Sequence, residues 1–288
     1  MTVVNTNVAA SVAQAALARN ERALGAAMEK LSTGKRINSS ADNAAGLTIS
    51  TQLTSQIRGI GQAVSNANDA ISMVNTADGA LDEITTMLQR MRELAVQAGT
   101  GTTAATDRTY LQSEFTALRT EIDRIADNTQ WNGRNILDGA AGGATGVSTV
   151  AFGIGQDGTA AQTLSTSFGN FNNTTGKLSG LASKVITGTT IASAITVAAA
   201  TITEIDVVIG DVSSQRATFG AISNRLTHAV DNLTNVRTNS EASRSRILDT
   251  DYAAATSELA RTQIIQQAGT AMLAQANQLP QTVLALLQ

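Results

Sequence analysis

Residues that could carry enzyme chemistry are scarce in this sequence. It contains no cysteine, which excludes disulfides, thiolate metal sites and cysteine nucleophiles. His228 is its only histidine, which excludes a cluster of histidine ligands, and an exposed position on a helix is a simpler interpretation of it than a catalytic triad. The glycine pairs Gly59–Gly61 and Gly153–Gly155 lack the third glycine of a dinucleotide site. The sequence therefore predicts no catalytic residue, no cofactor and no metal site.

The charges and the apolar runs argue against two further classes of partner. The chain has 288 residues, with 20 Lys and Arg against 23 Asp and Glu, and an isoelectric point near 5.2. This slight negative excess argues against nucleic-acid binding through bulk positive charge. No consecutive apolar run approaches the roughly 20 residues of a membrane span, and residues 1–20 lack the basic start and apolar run of a cleavable signal peptide. We therefore expect neither nucleic-acid binding nor membrane insertion.

The strongest structural signal is an apolar residue at every third or fourth position from Ile49 to Ala98. This is the period of one helix face, and it predicts a helix of about 50 residues and about 75 Å. We expect a bend or break near Gly59, Gly61 or Gly79, because each glycine costs up to about 1 kcal/mol relative to alanine. The same spacing predicts a second helix over Leu111–Ile125.

Turn and strand signals replace the helical pattern in the middle of the chain. Asn132-Gly133 predicts a turn, and residues 140–203 are poor in charge and rich in Gly, Thr, Ser and Asn. Val147–Ile154 and Leu164–Phe168 are β-prone and are separated by turn residues, which predicts one or two small hairpins. Helical periodicity returns from Ile202 to Val236.

Both ends of the chain carry apolar residues at heptad-like spacing. The economical arrangement packs the two ends against each other, with the middle looped out between them. The predicted fold is therefore mainly α: a long antiparallel helical bundle or coiled coil from the paired N- and C-terminal regions, with a small β-hairpin-containing middle. Because a monomer would leave part of these seams exposed, we also expect them to mediate assembly. The residues of the predicted assembly seam are Leu17, Leu24, Leu31, Ile265, Ala268, Met272, Ala276, Leu279, Val283 and Leu286.

Several long motifs resemble those of the bacterial flagellin family. Residues 31–50 (LSTGKRINSSADNAAGLTIS) and 88–97 (LQRMRELAVQ) are similar to the amino-terminal signature, and residues 129–137 (TQWNGRNIL) to the motif that closes it. Residues 245–252 (SRILDTDY) resemble the carboxy-terminal signature, which continues between residues 266 and 280. The resemblance covers roughly the first 140 and the last 90 residues.

The resemblance implies a structural protein that self-assembles head-to-tail into the helical flagellar filament for swimming. Residues 1–43 and 250–288 would be terminal helices that form the inner filament core and are disordered in the monomer. Residues 44–140 and 190–249 would form the surrounding helical shell, and residues 141–189 a short variable surface segment with β-hairpins. The short middle leaves little room for the large outer domains of longer members.

The resemblance also implies partners and a location. The chain would be extracellular, in the flagellum, exported by the flagellar secretion apparatus without a cleavable signal peptide. Its partners would be copies of itself, an export chaperone docking on about 250–288, and hook-associated and cap proteins. In members recognised by Toll-like receptor 5, the recognised helix matches Leu88–Val96, and Arg90, Leu94 and Glu114 occupy matching positions here. We therefore expect recognition by that receptor.

Two alternatives stay open at this point. A hook–filament junction protein would share the terminal helices, and a surface adhesin or glycan-binding flagellin-like protein would use the Ser, Thr and Asn side chains of the middle. An enzyme is the least favoured class. The assembly hypothesis predicts that Met272→Asp or Leu279→Asp blocks polymerisation, because each places a charge in a buried seam.

Overall fold

The computed structural model describes residues 6–142, 148–155, 162–172, 176–188 and 190–286, without the side chains of residues 279–286. Its helices are α1 (Val8–Thr33), α2 (Ala44–Ala98), α3 (Ala105–Asn128), α4 (Ile191–Leu248) and α5 (Tyr252–Leu286). Its strands form two antiparallel hairpins, β1 (Gln130–Trp131) with β2 (Arg134–Asn135) and β3 (Thr149–Gly153) with β4 (Thr163–Ser167). The predicted mainly α fold class is confirmed.

The chain divides into two compact units. The terminal unit comprises Met1–Ile57 and Thr238–Gln288, and the central unit comprises Arg58–Arg237. These units are defined by contacts within one chain. The boundaries predicted near residues 43 and 250 separate the inner core of a filament from its shell. They stay a prediction.

In the terminal unit, α1 and α5 pack against each other as an antiparallel pair. Nδ2 of Asn7 donates a hydrogen bond to the carbonyl oxygen of Ala276 (2.8 Å), and Nδ2 of Asn20 donates to that of Thr262 (2.8 Å). A residue later in α1 therefore contacts a residue earlier in α5, as expected for an antiparallel pair. The prediction that the two ends of the chain pack together is confirmed.

The least exposed side chains of this pair repeat at steps of three and four residues on both helices, the pattern of a coiled coil. We call them the inner seam; they are Ala10, Ala13, Leu17, Asn20, Leu24, Ala27 and Leu31 on α1, and Ala255, Leu259, Thr262, Gln266, Gly269, Leu273 and Ala276 on α5. A Cβ added at Gly269 would lie 3.2 Å from Cδ1 of Leu17, so glycine permits the close approach. Because most members are small or polar, the seam buries little apolar area per turn.

A short backbone bridge closes one end of the terminal unit. Gly34 caps the C-terminal end of α1, and its φ of 69° is left-handed and suits glycine. The amide of Arg36 then donates to the carbonyl oxygen of Leu248 (2.7 Å), and the amide of Thr250 donates to that of Gly34 (3.0 Å). The Arg36 guanidinium donates to the carbonyl oxygen of Ile247 (2.7 Å), so a cation satisfies the C-terminal end of α4.

The central unit surrounds one apolar core. The face predicted along α2 is buried at nearly every turn between Ile57 and Ala98. Fully or almost fully buried side chains of this core include Leu81, Ile84, Leu88, Met91, Phe115, Ile122, Phe168, Phe171 and Phe219. The expected helix break is wrong, since α2 continues unbroken through Gly59, Gly61 and Gly79. Burial of its apolar face outweighs about 1 kcal/mol at each glycine.

Both predicted turn regions form hairpins. Asn132 and Gly133 have φ angles of 49° and 74°, the positive pair that a two-residue hairpin turn of type I′ requires. β3 and β4 pair in register, with Phe152 opposite Leu164 and Val150 opposite Thr166 on the buried face. The hairpin predicted from the β-prone segments is therefore confirmed.

Candidate functional site

No catalytic or metal site is evident among the described residues. The candidate functional sites are instead exposed surfaces. His228 lies exposed on α4, as the simpler interpretation predicted. No group of three or more His, Asp or Glu side chains among the described residues is placed to hold a metal ion. Ion pairs such as Arg92 with Asp206 (2.7 Å) have half-exposed partners, so solvent screens them and they contribute little to stability.

A groove of about 580 Å³ in the terminal unit is lined by five charged residues, and three of them make contacts that stabilise the fold. Arg36 satisfies the end of α4, and Oδ1 of Asp251 accepts a hydrogen bond from the amide of Ala253 (2.9 Å) at the start of α5. Glu258 pairs with Nε of Arg261 (2.9 Å), and this hydrogen bond holds the pKa of the Glu258 carboxyl below its ordinary value. These contacts are structural.

The surface that stands out is a second apolar face on α5. We call it the α5 outer stripe; it consists of Ile264, Ile265, Ala268 and Met272, all of which are exposed. Ile264 and Met272 are the extreme members, with exposed fractions of 66% and 64%. On α1, Val8 and Val12 are exposed to 59% and 64%. Contiguous apolar residues left in water mark a surface that another molecule covers.

The structure divides the predicted assembly seam between two faces. Leu17, Leu24 and Leu31 are half-buried in the inner seam, and Ala276 is buried there too. The other described members, Ile265, Ala268 and Met272, lie on the outer stripe. The side chains of Leu279, Val283 and Leu286 lie outside the described residues.

This division corrects one part of the sequence interpretation. The sequence placed Ile265, Ala268 and Met272 on one assembly seam with Ala276, whereas α1 packs on a neighbouring face of α5 that includes Thr262 and Gly269. The prediction favoured the outer face because the apolar residues on that face are larger. Close helix approach requires a small residue, and the amide of Asn20 requires an accessible carbonyl oxygen, so the true inner face is less apolar than the outer one.

Arg90 lies at the centre of an exposed charged cluster on the central unit. Its Nε donates to Oε1 of Glu114 (2.9 Å) and its Nη1 donates to Oε2 of Glu93 (3.0 Å). The side chains of Arg90, Glu93 and Glu114 are 49%, 67% and 44% exposed. The hydrogen bonds that Arg90 donates, first to Glu93 and then to Glu114, raise the pKa of Arg90 above its ordinary value. The cluster is therefore a fixed cation flanked by two carboxylates.

Of the residues near Arg90, Leu94 lies in the core and Glu93 lies in the exposed charged cluster. Leu94 is completely buried in the central core, so a protein that binds this surface cannot touch its side chain. The Leu94 side chain supports the helix from inside, and a part of this residue in recognition stays a prediction. Glu93 belongs to the exposed charged cluster, as its spacing of three residues from Arg90 could have indicated.

Among the helices in the described ranges, α4 is the one long and apolar enough to pass a membrane-span test of length and composition. That test is weak for a helix that lines a core. Ala194, Ala198, Ile205 and Val208 of α4 are buried within the central unit. This burial accounts for part of the apolar composition.

Comparison with known proteins identifies the family. Models of the bacterial flagellin N-terminal and C-terminal helical regions match residues 4–141 and 202–287. A flagellin of Halalkalibacterium halodurans is 42% identical over 290 aligned residues, which cover 99% of this chain and 100% of the relative. Flagellin A of Vibrio cholerae is 36% identical over 379 aligned positions, covering 99% of each chain. This longer alignment means that the Vibrio relative carries insertions.

A solved structure gives a likeness of fold. A Vibrio parahaemolyticus protein assigned as flagellar hook-associated matches 72% of this chain and 100% of its own, with a TM-score of 0.59 and 15% sequence identity. The sequence relatives, by contrast, are flagellins that match over almost their whole length. The chain therefore belongs to the bacterial flagellin family, the structural subunits of the flagellar filament.

Proposed function

We propose that the terminal unit supplies the contacts through which this filament subunit polymerises head-to-tail for swimming motility. The observation that carries the proposal is the α5 outer stripe, together with Val8 and Val12 on α1. Fully burying one such side chain contributes about 1.5–3 kcal/mol. A contact between two different surfaces repeats from subunit to subunit, and when the rotation does not close it generates an open helical fibre.

The composition of the inner seam supports a layered filament. Asn20, Thr262 and Gln266 place polar groups between α1 and α5, so this pair gains stability when further subunits cover its outer faces. We assign residues 1–43 and 250–288 to the inner core, ordered on assembly. Residues 44–140 and 190–249 form the surrounding shell, and residues 141–189 lie at the outer surface.

The exposed apolar residues also support partners that act before assembly. An uncovered stripe invites aggregation, so an export chaperone docking on residues 250–288 would protect it until secretion. The proposed route is the flagellar secretion apparatus, without a cleavable signal peptide, to an extracellular filament. Hook-associated and cap proteins are the proposed partners at the filament ends. We assign the chain no enzyme activity.

The charged cluster supports recognition by Toll-like receptor 5. Arg90, Glu93 and Glu114 offer a fixed, exposed pattern of charge, and Leu94 contributes only from the core. Arg90→Ala should weaken the response of receptor-bearing reporter cells to purified monomer. Arg124→Ala is the matched control, because Arg124 is also an exposed arginine, paired with Glu121. A null response to the unmodified monomer would refute the assignment.

Of the alternatives, neither a junction protein nor a surface adhesin has an observation that favours it. The flagellin relatives match the chain along almost its whole length, while the hook-associated likeness rests on fold at 15% identity. Apart from the inward-facing Thr166, the Ser and Thr side chains of the β3–β4 hairpin are ordinary exposed positions of alternating strands.

Seeded polymerisation tests the proposal. Purified monomer is added to short filament fragments, and elongation is followed by electron microscopy. Met272→Asp should block elongation, because burying an unpaired carboxylate is strongly unfavourable. Gln263→Asp introduces the same charge at an exposed position on another face of α5 and should elongate. A chain lacking residues 250–288 should not elongate. Filaments from Met272→Asp, or none from the unmodified chain, would overturn the proposal.

A further inference from the structure

The methionines of the described chain fall into two groups. Met73 and Met91 are 2% and 0% exposed, and Met87 is partly buried against the same central core. Met28 on α1 and Met272 on α5 are instead 53% and 64% exposed. Only Met272 of these two belongs to the α5 outer stripe. The described part of the terminal unit thus presents two oxidisable thioethers to solvent, and one of them lies on the proposed assembly face.

We propose that Met272 is an oxidation site at which conversion to the sulfoxide prevents the subunit from entering the filament. The inference rests on the proposed role of the outer stripe. The reaction takes a hydroperoxide as oxidant: a sulfur lone pair attacks one peroxide oxygen, the O–O bond breaks and an S–O bond forms. With hydrogen peroxide, water leaves, the sulfur loses two electrons and the peroxide is reduced.

The chemical change opposes assembly for a local reason. A thioether is apolar and adaptable, whereas a sulfoxide carries a polar, strongly accepting oxygen. The stripe neighbours Ile265 and Ala268 have no side-chain hydrogen-bond donor. Once a neighbouring subunit covers the stripe, the sulfoxide oxygen of Met272 loses its water and gains no bond from these residues.

Reversibility makes the modification a switch. Methionine sulfoxide is reduced by dedicated reductases, so an oxidised subunit regains assembly once it is reduced. Met73 and Met91 lie in the core of the central unit and should be spared at mild peroxide doses, which leaves the fold intact. The effect is therefore on assembly and not on folding.

A partition experiment tests the inference with an internal control. Monomer is oxidised to about half with hydrogen peroxide, mixed with seeds and sedimented, and sulfoxide at each methionine is quantified by peptide mass spectrometry in pellet and supernatant. We expect Met272 sulfoxide to be depleted roughly tenfold from the pellet, because a buried acceptor without a partner weakens binding by about that factor. Depletion at Met272 should persist in Met28→Leu, where it is the only well-exposed described methionine. Treating fully oxidised monomer with sulfoxide reductase should restore elongation.

The outcomes separate this inference from the proposed function. Suppose that untreated monomer elongates seeds and that the fraction of Met272 present as sulfoxide is the same in pellet and supernatant. The oxidation inference is then overturned and the assembly proposal stands. Failure of reductase to restore elongation also overturns it. If untreated monomer does not elongate seeds, the assembly proposal fails and the oxidation inference fails with it.

Discussion

Replacing Thr166 with valine should stabilise the central unit, although it removes a polar group from a natural sequence. Thr166 lies on the inward face of β4 and is 4% exposed, and its hydroxyl oxygen has no hydrogen-bond partner among the described residues. Burying a hydroxyl without a partner costs about 1–3 kcal/mol. Valine has almost the same shape and no such cost. The free energy of unfolding should therefore rise by about 1–2 kcal/mol in Thr166→Val.

Trp131 gives a direct readout of this change. It is the only tryptophan of the chain, it lies in β1, and it packs partly buried against the central core. Urea titration of monomer followed by its fluorescence should show a higher midpoint for Thr166→Val at unchanged slope. Thr149→Val makes the same substitution at an exposed position of β3 and should leave the midpoint nearly unchanged. An unchanged or lower midpoint for Thr166→Val would refute the reasoning.

Three further predictions concern local stability. Gly79→Ala should raise the free energy of unfolding by about 1 kcal/mol in the same titration, because glycine is unfavourable inside a helix and an added Cβ meets nothing within 4 Å; a loss of stability would contradict the packing described. Arg108→Met should lower it by about 2–4 kcal/mol, because the buried guanidinium donates to carbonyl oxygens at the end of α2, including that of Ala98 (3.1 Å); a neutral result would count against this cap. The amide of Ser39 donates to Oδ2 of Asp42 (2.9 Å), and backbone hydrogen bonds hold the pKa of Asp42 below its ordinary 3.8. This loop contribution is complete above pH 3.8 and lost as pH falls through the lower folded-state pKa; the Ser39 amide shift should follow that titration by NMR, and Asp42→Asn should abolish it.

Much of the fold could be predicted from the sequence because its elements are long and locally consistent. The apolar period of α2 covers so many turns that most of its buried face from Ile57 to Ala98 was predictable, although Ile49 at the start of the predicted face is exposed. Asn132-Gly133 fixed a hairpin through backbone conformations that few other residues adopt. The break expected at the glycines of α2 failed because a local propensity of about 1 kcal/mol is small beside the burial of a whole helix face.

The site was harder to predict because it depends on which of two faces meets a partner. On α5, apolar size pointed to Ile265 and Met272, while the inner seam uses Gly269 and the carbonyl oxygen of Thr262. Hydrophobic periodicity alone does not identify a position at which a small residue lets two helices approach closely. Leu94 shows a similar limit of family resemblance. The resemblance identifies the matching position, but it does not indicate that the Leu94 side chain is buried.

Thiol accessibility tests the central claim, that the α5 outer stripe is covered by neighbouring subunits. The chain has no cysteine, so Met272→Cys provides a single reactive group, and Ser165→Cys on the exposed face of β4 provides the control. Each variant is treated with a maleimide as monomer and as seeded filament. The account predicts that Cys at position 272 reacts in the monomer and is protected in the filament, while Cys at position 165 reacts in both. Equal reactivity of position 272 in monomer and filament would contradict the claim.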